Sequence, residues 1–293
     1  MNANAATVAR QPPPRPPAAA RRRHLHPGFG LTFGITAAYL GVIVVLPMAA
    51  AFLKLLPMEP AQIWALATDA RSLAAYRISF GLSFAAALIN LVFGVATAWV
   101  LVRYRFPGRR LFDAMIDLPF ALPTAVAGIA LATLYAGNGW LGKPLAALGI
   151  DVAFKPLGIL VALVFVGLPF VVRTVQPALQ DLDPVLEEAA ATLGASRWQS
   201  LSRIVGRQLA PAALTGFTLS FSRAVGEYGS VIFIAGNIPY FSEIAPLLIV
   251  VRLEQYDYAG ATVLAVAMLL ISFALLLLIN LAQRWGHRHA AGR

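Results

Sequence analysis

The sequence predicts an all-α, polytopic membrane protein, and two features of the chain carry this prediction. The chain has 293 residues, of which 59% are hydrophobic and only 12% are charged. This balance is ordinary for a polytopic membrane protein and improbable for a soluble domain. Long apolar runs recur along the chain without the alternation of a strand. Because backbone polar groups in lipid must be hydrogen-bonded internally, these runs indicate transmembrane helices.

Six runs are near or above the length of about 17–25 residues that a helix needs to cross the hydrocarbon core. They are Phe29–Leu53, Ile78–Val102, Leu118–Gly142, Pro156–Val172, Pro211–Ala235 and Tyr258–Gln283. The first run is long for the apolar region of a cleaved signal peptide, so we expect it to remain as a span. Six spans place both ends of the chain on the same side of the membrane.

The distribution of basic residues orients these six spans. With a cytoplasmic N-terminus, the inner segments hold fifteen arginines, namely Arg10, Arg15, Arg21, Arg22, Arg23, Arg103, Arg105, Arg109, Arg110, Arg197, Arg203, Arg207, Arg284, Arg288 and Arg293. The outer segments hold six basic residues, namely Lys54, Arg71, Arg77, Lys143, Lys155 and Arg252. By the positive-inside rule, both termini and the interval 181–210 are expected in the cytoplasm. Topology therefore explains the net charge of +10, and nucleic-acid binding is not needed for it.

The chain divides into three parts by composition. Residues 1–28 are rich in Pro, Ala and Arg, which predicts a disordered basic cytoplasmic tail. Residues 29–286 form the predicted six-helix transmembrane domain, with a cytoplasmic loop at 181–210. Residues 287–293 are expected to be a short cytoplasmic tail.

The composition argues against metal and catalytic sites. The chain has no cysteine, and its four histidines, His24, His26, His287 and His289, all lie in the tails. A thiolate metal site is excluded, and a histidine-based intramembrane hydrolase is not expected. Residues 137–144 nearly match a phosphate-binding loop, but Pro144 occupies the position of the Ser or Thr that would bind magnesium. We therefore predict no catalytic residue, no metal, no cofactor and no ATPase site in this chain.

The polar interval 181–210 has strong signals of local structure. Asp183 is suited to cap a helix whose first residue is Pro184, and Gly194 is suited to end that helix after Leu193. Ser196 and Gln199 have the spacing of a capping box that starts a second helix. The sequence therefore predicts a helix, a glycine bend and a helix between two spans. The Ala-rich face of the first helix is suited to insert into a groove on another protein. The alternative interpretation is that the segment only connects two spans.

Two ionisable residues, Arg223 and Glu227, lie inside the fifth predicted span. They are four residues apart, so they share one helix face and can form an ion pair. Ionisable groups within spans usually face a bundle interior or a water-filled path. The pair is expected either to line or gate a translocation path or only to lock helix packing.

The third predicted span contains Pro119, Pro123 and Thr124. Two prolines four residues apart should kink or unwind this helix, and the freed carbonyls and Thr124 are then candidates to line a pore. Packing between helices is the alternative. Asp113 and Asp117, just before these prolines, are expected to form an ion-paired feature at the membrane interface.

Glu188-Ala189-Ala190, followed by Gly194 and Ile204, resembles the EAA motif of ABC importer permeases. The resemblance implies a type I ABC importer permease fold, in which this loop is the coupling helix that docks into a separate ATPase subunit. On that basis the coupling residues are Glu187, Glu188, Ala189, Ala190, Gly194, Ala195 and Arg197. The family pattern usually closes with Leu-Pro, where this chain has Gly206-Arg207. This departure affects the exit from the second helix of the loop.

Further stretches resemble the sulfate/thiosulfate permeases of the T-subunit type. They are residues 103–109, 117–128, 169–177, 231–237 and 251–258. The resemblance implies a bacterial inner-membrane complex with membrane lipid around it, containing a second homologous permease subunit and an ATPase dimer that carries ATP and magnesium. It also implies a periplasmic sulfate- or thiosulfate-binding protein. A homodimeric molybdate or tungstate permease is the nearest alternative, and a secondary transporter is a more distant one.

Overall fold

The computed structural model describes the backbone of residues 29–291 and the side chains of residues 29–281 and 283. The predicted basic tail, residues 1–28, lies outside the described residues. Over the described part the regular structure is helical throughout, without a strand. The predicted all-α class is therefore confirmed.

The helices are numbered in chain order. They are α1 (Phe29–Leu53), α2 (Pro60–Ala67), α3 (Ala70–Arg103), α4 (Arg109–Ile116), α5 (Leu118–Ala121), α6 (Thr124–Tyr135), α7 (Gly142–Ala147), α8 (Pro156–Gln180), α9 (Pro184–Thr192), α10 (residues 197–225), α11 (Val231–Ile234), α12 (Ala245–Glu254) and α13 (Tyr258–Ala291). The contacts divide the described part of the chain into two units, with the boundary between residues 50 and 51. Most of α1 belongs to the first unit and contains a π-helical turn at Gly41–Val45.

The second unit is built on α3, α8 and α10, which pack pairwise against one another. Small residues allow this close approach. A Cβ added to Gly94 of α3 would lie 2.7 Å from Cγ1 of Val171 in α8, and one added to Gly216 of α10 would lie 2.9 Å from the Cα of the same valine. A Cβ on Gly167 of α8 would lie 2.5 Å from Nδ2 of Asn90. In lipid, burial of apolar surface from water does not drive helix association. Transmembrane helices instead associate through close packing of small residues.

The two ends of this bundle carry different elements. At one end, α3 and α8 finish beside α9; we call this the α9 end. At the other, α3 begins beside α12; we call this the α12 end. α12 packs on both α3 and α13, while α11 packs on α6 and α8.

Four of the predicted spans are confirmed as single helices. The helices Phe29–Leu53, Ala70–Arg103, Pro156–Gln180 and Tyr258–Leu281 are long and apolar enough to cross a membrane. The last helix continues to Ala291.

The third predicted span, Leu118–Gly142, is not one helix. It consists of α5, an extended break at Leu122 and Pro123, and α6, which ends at Tyr135. Leu122 has φ −87° and ψ 136°, because the ring of the following proline disfavours helical geometry at the residue before it. The unwinding expected from the prolines is therefore confirmed at Pro123. Pro119 instead occupies the first turn of α5, where a missing N–H is tolerated.

The fifth predicted span, Pro211–Ala235, was wrong at both ends. α10 begins at residue 197 and runs through Pro211 to Val225, with a π-helical segment at Ser200–Val205. Gly206 and Arg207 are helical, so the departure from the family pattern does not interrupt the helix. Beyond Val225 the chain leaves the helix at Gly226 and resumes only at Val231.

Candidate functional site

The loop at the α9 end has the local structure that the sequence predicts. The Asp183 carboxylate accepts from the Val185 N–H at 3.0 Å and caps α9. Gly194 has φ +82°, the left-handed conformation that glycine adopts without strain. Ser196 and Gln199 form the reciprocal capping box that starts α10. Both helices of the loop are therefore fixed by their own sequence.

The predicted coupling residues divide into an outward and an inward group. Glu188, Ala189, Gly194 and Arg197 are exposed, whereas Ala190 is buried and Ala195 is half-buried. Glu187 is turned toward the bundle, where its carboxylate forms an ion pair with Arg103 at the end of α3. The two adjacent carboxylates of α9 therefore face different surroundings.

Sequence reasoning missed a set of exposed apolar side chains around the loop. Leu193 is 89% exposed, Trp198 is 73% exposed and Val185 is 60% exposed. Large apolar residues at such exposure on a helix pair fixed by caps indicate a surface for a protein partner. The signal was present in the sequence, because these residues interrupt the most polar interval of the chain.

The breaks in the third and fifth predicted spans meet. A Cβ on Gly229 would lie 2.2 Å from Oγ1 of Thr124, the first residue of α6. One turn further along α6, a Cβ on Gly128 would lie 2.3 Å from the Ser230 carbonyl oxygen. Two glycines thus allow the non-helical segment 226–230 to lie directly against the start of α6. We call this contact the crossing of the two breaks.

The predicted ion pair of Arg223 and Glu227 is confirmed and stands at this crossing. Arg223 Nη1 lies 2.5 Å from Glu227 Oε2. Glu227 Oε1 accepts from both the N–H and the hydroxyl of Ser230, each at 2.9 Å. Glu227 is 2% exposed, whereas about a third of the Arg223 side chain, 34%, is exposed. The buried carboxylate of Glu227 therefore stabilises the turn after α10, and the guanidinium of Arg223 is the accessible member of the ion pair.

The structure brings only some of the predicted path residues together. Pro123 and Thr124 form the start of α6 at the crossing, beside the segment that follows Arg223 and Glu227. Pro119 lies a turn earlier, in α5, where the neighbouring Phe120 packs edge-to-face on Phe170 of α8 with ring centroids 5.1 Å apart. Ser230, Gly128 and Gly229 were missed, because their contacts join segments about a hundred residues apart.

Asp113 and Asp117 form the ion-paired feature that the sequence predicts, and their partner is Arg173 of α8. Its Nε and Nη2 donate to the two oxygens of Asp117 at 2.8 and 2.6 Å, and its Nη1 donates to Asp113 Oδ1 at 2.7 Å. Burial acts to raise the pKa of Asp113, but hydrogen bonds from Gln176 and Arg173 outweigh it and hold that pKa below its ordinary value. The cluster fixes α4 and α5 to α8.

A second set of ion pairs lies at the α12 end and was not predicted. Arg71 donates from Nε and Nη2 to both oxygens of Glu243, at 2.8 and 2.7 Å, the paired geometry in which Arg binds carboxylate best. Arg252, which is buried, donates to Asp69 and to the Ser72 hydroxyl, each at 3.1 Å. These bonds join the start of α3 to α12 and to the segment before it.

The described residues hold no group of three or more His, Cys, Asp or Glu side chains that could bind a metal ion. The arrangement at the crossing has a buried carboxylate and a partly exposed guanidinium.

Comparisons with known proteins identify the family. A model of the binding-protein-dependent transport system inner membrane component matches residues 65–291. A sulfate transport system permease protein of Synechocystis is 51% identical over 256 residues, covering 87% of this chain and 90% of the relative. The corresponding protein of Escherichia coli is 49% identical over 267 residues, covering 91% and 96%.

Solved structures show the same fold at low sequence identity. A chain of a bacterial ABC transporter that imports the acidic polysaccharide alginate superposes with a TM-score of 0.72 at 15% identity, covering 87% of this chain and 95% of that one. A chain of an alginate transporter in complex with its periplasmic protein gives a TM-score of 0.73, also at 15% identity. With the family model covering most of its length, this chain belongs to the inner-membrane components of binding-protein-dependent transport systems and has the type I ABC importer permease fold.

Proposed function

We propose that this chain is the permease subunit of an ATP-driven importer that moves sulfate or thiosulfate across the bacterial inner membrane. The proposed substrate rests on sequence identity. About half of the aligned positions are identical to those of sulfate transport permeases, and the alignments cover nearly the whole length of those proteins. The basic residues counted above support cytoplasmic N- and C-termini and a cytoplasmic α9 end.

We propose that α9, the glycine bend and the start of α10 dock into a separate ATPase subunit, which carries ATP and magnesium. The exposed Leu193 and Trp198 supply apolar contact area, and the outward residues Glu188 and Arg197 supply polar contacts around it. The caps at Asp183 and Ser196 hold these side chains in place before a partner arrives, which lowers the entropic cost of binding.

We propose that the crossing of the two breaks lies on the translocation path, with Pro123, Thr124, Arg223 and Glu227 near the passing anion and Pro119 at its margin. Non-helical backbone at membrane depth is tolerated where it is buried in protein or lines a water-filled cavity. The part-exposed guanidinium of Arg223 supports the second setting. Alternating access then requires two packing arrangements of these segments.

We propose that a second, homologous permease subunit and a periplasmic sulfate- or thiosulfate-binding protein complete the complex. An alginate transporter with the same fold has been solved with its periplasmic protein bound. The α12 end, which would face the periplasm, carries the loop from Gly236 to Glu243, in which Tyr240 and Phe241 are exposed.

Purification of the tagged chain from native membranes, with each partner identified and counted, tests this proposal. We expect an ATPase and one different permease subunit in a mild detergent that preserves a control ABC complex. An ATPase with only further copies of this chain would instead indicate the homodimeric molybdate or tungstate type. A preparation without any ATPase would contradict the proposal and favour a secondary transporter.

Trp198→Ala is expected to reduce the amount of co-purified ATPase by about tenfold or more, because buried tryptophans at interfaces typically contribute about 2 kcal/mol. Trp140→Ala is the matched control. Trp140 is 84% exposed, like Trp198 at 73%, but it lies in the turn after α6 and is not part of the α9 loop. The yield and thermal stability of both variants should equal those of the parent chain. Equal retention of ATPase by the two variants would exclude Trp198 from the docking surface.

A further inference from the structure

The two adjacent carboxylates of α9, those of Glu187 and Glu188, differ in exposure and in their partners. Consecutive residues on a helix project about 100° apart, so Glu187 and Glu188 lie on different faces of α9. Glu188 is exposed, while Glu187 is half-buried and paired with Arg103. The inward carboxylate is therefore already engaged within this chain.

Contacts within α3 hold Arg103 in place independently of Glu187. It is the last residue of α3, where a positive charge is favoured by the helix dipole. Its guanidinium lies over the ring of Trp99, one turn earlier, at 5.1 Å from the ring centroid. Only about a quarter of its side chain, 26%, is exposed. The ion pair therefore joins α9 to a fixed point on α3 and not to a freely moving side chain.

α3 connects this point with the opposite end of the bundle. It is an unbroken helix of 34 residues and contains no proline. At 1.5 Å per residue it is about 51 Å long. Its first turn carries Arg71, paired with Glu243, and Ser72, which binds Arg252 of α12. Ionic contacts therefore hold the same helix at both of its ends.

We propose that Arg103 and Glu187 form a clamp through which displacement of α9 reaches α3 and, along it, the ionic contacts at the α12 end. Both are positioning residues: they act on transport by tying the docking helix to the bundle. This inference rests on the proposed docking of α9 into an ATPase. It adds that coupling depends on a contact inside this chain as well as on the contact with the ATPase.

Charge reversal in the complete complex tests the clamp. Arg103→Glu and Glu187→Arg, each alone, place like charges together, and the double variant restores an opposite pair. In proteoliposomes we expect each single variant to lower sulfate uptake per ATP hydrolysed by about fivefold or more, the lower range of allosteric coupling. The double variant should recover most of this ratio. Retained ATPase is measured in the same preparations, and uptake per ATP hydrolysed is compared between preparations that hold equal amounts of it.

Glu188→Arg is the matched control, because Glu188 is the exposed neighbour of Glu187. It should weaken ATPase retention, and addition of Arg103→Glu should not repair it. The clamp is overturned if the single variants keep the parent ratio of uptake to hydrolysis, or if the double variant does not recover it. A fall in uptake and hydrolysis that only follows loss of folded complex would assign the pair a structural role and also overturn the clamp. Absence of ATPase from the parent preparation would overturn the proposed function itself.

Discussion

Glu227→Ala is expected to lower the free energy of unfolding by about 3 kcal/mol and to reduce uptake by about tenfold or more at equal abundance. Its carboxylate is 2% exposed and is the acceptor for the N–H and hydroxyl of Ser230, which is fully buried. Without it these donors are left unsatisfied, and Arg223 loses its partner. Removal of one member of a buried ion pair typically costs about 3–5 kcal/mol, and the partial exposure of Arg223 favours the lower value.

Thermal unfolding in detergent and uptake in proteoliposomes check this expectation. Glu254→Ala, which removes an exposed carboxylate at the end of α12, is the control and should change neither quantity. Glu227→Gln separates the two roles of the side chain, since the amide oxygen can still accept from Ser230 while the charge is gone. Normal uptake by Glu227→Gln would contradict a gating role for the ion pair.

Gly128→Ala is expected to destabilise the protein by about 1–3 kcal/mol, the usual cost of an added methyl group in a packed interior. The new Cβ would lie 2.3 Å from the Ser230 carbonyl oxygen and 2.8 Å from its Cα. These are backbone atoms, so α6 and the segment 226–230 must move apart. We expect uptake to fall with stability, because the proposed alternating access requires these segments to repack at the crossing of the two breaks.

Gly81→Ala makes the same chemical change in the interior of α3, where a Cβ would have open space within 4 Å. Helix propensity alone should leave this control unchanged or more stable by up to about 1 kcal/mol. Comparison of the two variants by thermal unfolding removes the contribution of propensity. If both behave alike, α6 does not lie against Ser230 in the working protein.

Local features of this fold were predictable from the sequence. The caps at Asp183 and Ser196 depend on side chains two or three residues from the groups they bind, so spacing alone identified them. The pair of Arg223 and Glu227 likewise follows from its separation by one helical turn. The break at Pro123 follows from the chemistry of the proline ring.

Features that depend on distant contacts were not predictable. The stop of α10 at Gly226 was not predicted, because Gly226 has φ −89° and the turn depends on Glu227 accepting from Ser230 and on the approach of α6. Arg173 was not predicted as the partner of Asp113 and Asp117, because these two residues lie about sixty residues earlier in the chain. The continuity of the loop's second helix with the fifth span was not predicted, because a count of apolar residues stops where a helix continues into a polar loop.

The pairing of Arg223 with Glu227 has a consequence for the speed of transport. A lone guanidinium on the proposed path would attract a divalent anion into a deep energy minimum and delay its release. The adjacent carboxylate cancels most of that attraction, because the two groups are 2.5 Å apart and together carry no net charge. On the proposed path, this pairing would favour rapid passage of the anion, and we propose that high affinity is left to the periplasmic binding protein.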